Sequence, residues 1–274
     1  MRKIDRLGWA AGLAFSAYGV RVGVRTNQLE ALAALEPFLP RLRTPLRSPV
    51  VSLLYSLRVG GEGPRPGLRN YHLVYGLSQR VARTHDLRQA MEALGTDLQA
   101  FIALRAPRRV FVHAGVVGWR GQAILLPGRS YTGKSTLVVA LVRAGATYYS
   151  DEYAVLDEQG RVHPYPLPIN MRSGAVAPSQ KIPPEALGAR TGRKPLPVGL
   201  VLSTEFHPEA RWRPRALSPA AAVHALLSNT VPAQLRPASV LPVLGQVARQ
   251  ARVLKGNRPE ADLVAGALLN GDMV

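Results

Sequence analysis

The feature that most constrains the fold of this chain is the segment from Gly128 to Ser135, which reads GRSYTGKS and matches G-x-x-x-x-G-K-[ST]. An apolar run, residues 123–127, precedes it, and a helical pattern over residues 135–144 follows. In this context, backbone N–H groups of the loop and first helical turn wrap a di- or triphosphate. Lys134 adds positive charge against the terminal phosphates, and the Ser135 hydroxyl can ligate Mg²⁺.

The segment therefore predicts a nucleotide-phosphate site. A chance glycine loop would explain the glycines, but the flanking strand and helix patterns argue against it. Tyr131 is bulky for such a loop, so we expect the rim of the phosphate loop to be atypical. The residues expected to contact the nucleotide are Gly128, Arg129, Ser130, Tyr131, Thr132, Gly133, Lys134, Ser135 and Thr136.

Two adjacent acids, Asp151 and Glu152, follow the next strand pattern, 17–18 residues after Lys134. Carboxylates at strand ends beside a phosphate loop can bind metal or act as a general base. A solvated acidic turn is the alternative. Neighbouring strand residues tend to point in opposite directions, so the two acids should have different roles. Asp151 is favoured as the base, and Glu152 as the ligand of the metal or its water.

His113 lies on the apolar strand pattern that precedes the loop. A lone histidine among apolar residues is more often a satisfied core group than a functional one. On spacing alone, His113 would therefore not be assigned a role.

The run from His113 through Glu152 resembles the catalytic domain of bacterial HPr kinase/phosphorylase and the shorter HPr-kinase-related proteins. Those proteins share a phosphate-loop fold akin to phosphoenolpyruvate carboxykinase. The close similarity covers about 40 residues. Its parts are His113-Ala114-Gly115, Arg120-Gly121, the apolar run 123–127, the loop 128–135, Val142-Arg143-Ala144-Gly145 and Ser150-Asp151-Glu152.

The resemblance implies a kinase that uses ATP and Mg²⁺ and transfers the γ-phosphate to a hydroxyl, with serine of a protein or peptide as the favoured acceptor. It places His113 close to the transferred phosphate and gives Lys134 the charge that builds up there. Asp151 or Glu152 accepts the acceptor's proton, while the other orders metal or water. A further arginine is expected, and Arg172 is the favoured candidate.

The chain departs from the family pattern in three places. Glu152 stands where an aspartate is usual, Tyr131 stands where glycine is common, and residues 159–184 contain no acid to supply a further metal ligand. These departures support an alternative, an ATP-binding regulatory or partner-binding module with little or no transfer.

Turn-forming and periodic patterns predict an α/β fold with a phosphate-loop core. Residues 1–109 should form a small α+β accessory domain, with a helix over 86–105 that is broken or kinked near Gly95 and another over 27–38 capped by Asn27. Residues 110–274 should form the catalytic domain. Its proline-rich stretch 162–199 is hard to assign, and C-terminal helices are expected over about 218–228, 239–254 and 259–269.

Composition bounds the remaining options. The chain has no cysteine, which excludes disulfides, thiolate metal sites and thiol nucleophiles. The net charge is +18, but the arginines are spread along the chain, so a nucleic-acid partner is not favoured over compositional bias. No apolar run is long enough to span a bilayer, so no membrane partner and a cytoplasmic location are expected. The oligomeric state is open, a homo-oligomer included.

Overall fold

The computed structural model describes residues 3–48, 50–61, 70–128, 132–171 and 180–271. Its contacts divide the chain into two compact units, Met1–Pro107 and Arg108–Val274. Both units combine strands and helices, so the fold is mixed α/β. No helix in the described part of the chain is long and apolar enough to cross a membrane.

The first unit is one twisted sheet with helices. Its elements are β1 (Ala11–Ala17), β2 (Val20–Thr26), α1 (Glu30–Leu35), β3 (Thr44–Pro45), β4 (Leu53–Arg58), β5 (His72–Gly76), β6 (Gln79–Thr84) and α2 (Leu87–Arg105). The described strands order as β3-β1-β2-β4-β5-β6. All neighbours are antiparallel except β2 and β4, which are parallel.

Helix α2 is continuous, so the prediction of a break at Gly95 is wrong. The Asp86 carboxylate begins the helix by accepting hydrogen bonds from the backbone N–H groups of Arg88 and Gln89, at 2.8 and 3.2 Å. A Cβ at Gly95 would lie 3.0 Å from the carbonyl oxygen of Phe38. The glycine therefore allows close packing of the helix against Phe38.

The second unit carries the candidate site. Its elements are β7 (Val110–Trp119), β8 (Gln122–Pro127), α3 (Lys134–Arg143), β9 (Thr147–Ser150), β10 (Tyr153–Leu156), β11 (Arg161–His163), β12 (Ile169–Met171), β13 (Gln180–Ile182), β14 (Leu196–Phe206), β15 (Arg215–Ala216), α4 (Pro219–Leu227), α5 (Pro237–Gln250), β16 (Arg252–Arg258) and α6 (Ala261–Asn270). The main described sheet has the order β11-β10-β7-β8-β14-β16-β15, with β9 also paired to β7.

This sheet is buried on both faces, which is why strands such as β8 are almost wholly apolar. Along β8, Ala123 and Leu125 belong to the apolar cluster that includes α4 and α5. Ile124 and Leu126 belong to the opposite cluster, which includes α3 and α6. Strand β14 runs parallel to both β8 and β16, so the centre of the sheet is parallel and its flanks are antiparallel.

Strand β7 positions the site. It pairs with β8 on one side and with both β9 and β10 on the other. Residues 151 and 152 form the break between β9 and β10, beside the middle of β7, where the Ala114 N–H donates to the Glu152 carbonyl at 3.2 Å. On the other side of β7, the Gly128 N–H donates to the His113 carbonyl at 3.3 Å. The acid pair and the start of the glycine loop therefore flank the same stretch of β7.

The C-terminal region differs from the sequence prediction in one element. The helix expected over 239–254 ends at Gln250, and Arg252–Arg258 forms β16 instead. Residues 252–258 pair in parallel with residues 200–206 of β14. These strand hydrogen bonds form although Val253 and Leu254 continue the apolar pattern of the helix.

Candidate active site

The glycine loop connects the end of β8 to the start of α3. Gly133 has φ +81°, a left-handed conformation that glycine adopts easily, and α3 begins at the next residue. The Lys134 ammonium donates a hydrogen bond to the Gly128 carbonyl at 2.8 Å. Lys134 therefore lies across the two ends of the loop. The predicted loop residues Arg129, Ser130 and Tyr131 lie outside the described residues.

Asp151 faces the start of α3 and is only 6% exposed. The Ser135 hydroxyl donates to its Oδ2 atom at 2.9 Å, and the Asn170 N–H donates to the same atom at 3.3 Å. Its Oδ1 atom is buried and has no hydrogen-bond partner among the described residues. Burial raises the pKa of Asp151 to about 6, although the bond from Ser135 acts against the shift.

The Glu152 side chain lies beside His113, whereas that of Asp151 faces the start of α3. The His113 Nδ1 atom lies 3.7 Å from the Glu152 Oε1 atom, and the two side chains are 44% and 48% exposed. Burial lowers the pKa of His113, while the Glu152 carboxylate opposes that shift. His113 is therefore mainly neutral at pH 7, and both side chains remain within reach of a molecule arriving from solution.

Lys134 couples these groups electrostatically. Burial lowers the pKa of its ammonium, and the Asp151 and Glu152 carboxylates partly restore it. The Lys134 charge in turn contributes to the lowered pKa of His113. The structure thus brings His113, Lys134, Ser135, Asp151 and Glu152 together beside the middle of β7.

The remaining predicted residues sit around this group. Thr132 and Gly133 directly precede α3, while Thr136 is in its first turn with an exposed side chain. A Cβ at Gly128 would lie 2.9 Å from the Thr132 hydroxyl oxygen, so a larger residue at position 128 would require the Thr132 side chain to move.

A residue that the sequence did not single out, Arg258, also contacts the loop. Its Nη2 atom donates to the Gly133 carbonyl at 2.9 Å, and the side chain is 2% exposed. Arg172, the arginine favoured from the sequence, lies outside the described residues. The sequence around Arg258 gives no signal for this contact, because Lys255, Gly256 and Asn257 separate it from the apolar pair Val253-Leu254.

The donor set at the start of α3 fits a magnesium ion. Mg²⁺ prefers oxygen ligands and takes few of them from protein when phosphates supply the rest. The Ser135 hydroxyl and the Asp151 carboxylate, with its unpartnered buried oxygen, meet that requirement. Over the described ranges, no group of three or more histidine or acidic side chains could hold a metal ion by itself. A metal here would therefore depend on phosphate oxygens.

Comparison with known proteins assigns the chain to no family. No family model matches it, and no curated protein matches it. The structure defines a mixed α/β protein with a compact group of ionisable side chains beside a glycine loop. Its function is inferred from the chemistry of those side chains.

Proposed function

We propose that the chain is a P-loop kinase related to HPr kinase, which transfers the γ-phosphate of ATP to a hydroxyl, with serine of a protein or peptide as the acceptor. The observation that carries the proposal is the 2.9 Å hydrogen bond between Ser135, at the start of α3, and the buried Asp151 after β9. In P-loop enzymes, a loop serine or threonine and a strand-end aspartate hold the metal together.

Under this proposal, the β8–loop–α3 unit holds the nucleotide. Backbone N–H groups at the start of α3 face the phosphates, where the helix end favours negative charge. Lys134 exchanges its hydrogen bond with the Gly128 carbonyl for the terminal phosphates and neutralises the charge that develops there. Ser135 and Asp151 would hold Mg²⁺, which would supply positive charge against the phosphates.

The environments of the two acids favour roles opposite to those expected from the sequence, in which Asp151 is the base and Glu152 the ligand of the metal or its water. Asp151 is buried and bonded to Ser135, so an acceptor hydroxyl cannot approach it, and it suits the metal. Glu152 is half exposed beside neutral His113 and suits the general base. Glu152 would accept the proton of the attacking hydroxyl, and His113 would hold the carboxylate in position.

One observation favours a second candidate, an ATP-binding module with little or no transfer. Within the described residues, no third acidic side chain joins the group, and residues 159–184 contain no acid. With fewer metal ligands than a complete transfer site, the chain would bind ATP and signal its presence to a partner.

Replacing the proposed base separates the two candidates. Glu152→Gln should reduce transfer of labelled γ-phosphate to proteins of a cell extract by roughly 10²-fold or more, while affinity for Mg·ATP stays nearly unchanged. Asp151→Asn should instead weaken the Mg²⁺ dependence of nucleotide binding.

The matched control is Glu158→Gln, which changes an exposed glutamate in the turn between β10 and β11, away from the site. Glu158→Gln should transfer phosphate like the wild type. Tight Mg·ATP binding by the wild type with no labelled acceptor would favour the binding module. Full transfer by Glu152→Gln would rule out Glu152 as the base.

A further inference from the structure

Arg258 is a buried arginine, and burying its charge is energetically unfavourable. It is the last residue of β16, its side chain is 2% exposed, and it is among the largest fully buried side chains of the described chain. Taking a guanidinium out of water is unfavourable unless hydrogen bonds and a counter-charge compensate. The contacts of Arg258 therefore indicate which interactions compensate its buried charge.

Those contacts satisfy its donors only in part. Nη2 donates to the Gly133 carbonyl and Nη1 to the Pro259 carbonyl, each at 2.9 Å, and the guanidinium lies 5.2 Å from the ring centre of Phe206. Nε is buried without a hydrogen-bond partner among the described residues. No described carboxylate forms an ion pair with it. The arginine thus contacts carbonyl dipoles and a ring, while the Glu260 carboxylate acts on it only electrostatically, without an ion pair.

The contact with Gly133 is also sterically tight. A Cβ at this glycine would lie 2.4 Å from the Arg258 Nη2 atom, so the guanidinium fills the space beside the backbone. Gly133 is the residue that turns the chain into α3, with φ +81°. Arg258 therefore restrains the peptide group that directs the first N–H groups of α3.

We propose that Arg258 is a positioning residue of the phosphate site, which fixes the Gly133 carbonyl and adds a fixed positive charge behind the loop that attracts the nucleotide phosphates. This inference rests on the proposed function. Arg258 does not touch the reacting atoms; it acts through Gly133 and through its field. Burial keeps that field strong because little water screens it, and the same burial lowers the pKa of the guanidinium.

The test compares Mg·ATP and AMP binding by calorimetry for the wild type, Arg258→Met and Arg258→Lys. Arg258→Met should bind Mg·ATP roughly 10- to 100-fold more weakly, the range for losing a charge-assisted hydrogen bond. The loss should be larger for Mg·ATP than for AMP, because the effect grows with phosphate charge. Arg258→Lys keeps the charge and one donor and should recover part of the affinity.

Arg236→Met is the matched control. Arg236 is partly buried, donates to the backbone carbonyl of Arg109 at 3.2 Å as Arg258 does to that of Gly133, and is not at the loop. It should lower thermal stability without lowering nucleotide affinity. Thermal unfolding shows whether each variant is folded. If Arg258→Met is not folded, Arg258→Lys provides the test, and its affinity for Mg·ATP should fall more than its affinity for AMP.

Three results would overturn the inference. They are wild-type affinity in a folded Arg258→Met, an equal loss for Mg·ATP and AMP, and a Lys variant no better than a folded Met variant. Failure of the wild type to bind Mg·ATP would overturn the proposed function and this inference with it. A wild type that binds Mg·ATP beside an unaffected Arg258→Met would overturn the inference alone.

Discussion

At the scale of single residues, Asp151 keeps a carboxylate where water hardly reaches it. Burial raises its pKa from the ordinary value near 3.8 to about 6. The folded protein therefore holds this proton more tightly than the unfolded chain does. Ionising Asp151 in the folded state must weaken the fold between about pH 4 and pH 6, and the weakening persists at higher pH.

Asp151→Asn should accordingly stabilise the chain in the absence of nucleotide and metal. The amide keeps an acceptor for Ser135 but is never charged, so unfolding at pH 7 should require about 1–3 kcal/mol more than in the wild type. The difference should disappear below about pH 4, where Asp151 is neutral in both states. Denaturant titrations at several pH values measure it.

Asp157 provides a control of opposite sign. It is also buried, which pushes its pKa up, but hydrogen bonds from Arg161 and His163 outweigh that effect and lower the pKa. Asp157→Asn should therefore destabilise the chain at pH 7. An Asp151→Asn variant that is as unstable as Asp157→Asn would contradict the account of Asp151.

Most residues of the candidate site could be found from the sequence because they lie in one continuous stretch. The segment from His113 to Glu152 folds as neighbouring strands and one helix, so local pattern brings its polar side chains together. Arg258 could not be found in this way. It is 125 residues from Gly133, and the pairing of β16 with β14 brings it to the loop.

At the scale of elements, the close packing of α3 on β7 depends on Gly115. A Cβ at this position would lie 2.5 Å from a methyl carbon of Val138, which is buried in α3. Gly115→Ala should therefore push α3 from the sheet and lower the free energy of unfolding by about 1–3 kcal/mol, as overpacking does. Chemical denaturation measures the change.

Gly266→Ala is its matched control on α6, which packs in the same apolar cluster. A Cβ at Gly266 has no neighbour within 4 Å, so the alanine variant should raise the free energy of unfolding by up to about 1 kcal/mol through its higher helix propensity. The two alanine variants should therefore shift stability in opposite directions. A Gly115→Ala variant as stable as the wild type would show that α3 is not held this tightly.

Element prediction failed where partners distant in sequence decide the outcome. Asn27 was expected to cap α1, but its side chain donates to the Val59 carbonyl and accepts from the Val59 N–H, at 3.0 and 2.7 Å. The proline-rich stretch contains the antiparallel strands β12 and β13, which were not assigned from the sequence. The bonds of Asn27 leave no local signal, because Val59 lies 32 residues further along the chain.

At the scale of the whole molecule, the charge of +18 is distributed rather than concentrated. Several arginines use their guanidinium groups on aromatic rings, as Arg25 does over Trp9 and Arg83 over Tyr71. These contacts are ordinary uses of arginine at a protein surface. The expectation that nucleic acid is not a partner stays a prediction, as do the acceptor, the location in the cell and the oligomeric state.

The central claim is that the loop and α3 form a nucleotide-phosphate site, and calorimetric titration of Mg·ATP into the wild type and Lys134→Ala tests it most directly. The wild type should bind, and the variant should lose roughly 10²-fold or more in affinity, since charge-assisted bonds to phosphate are strong. The exposed Lys194, changed to alanine, should bind like the wild type. No binding by the wild type, or equal binding by Lys134→Ala, would contradict the claim.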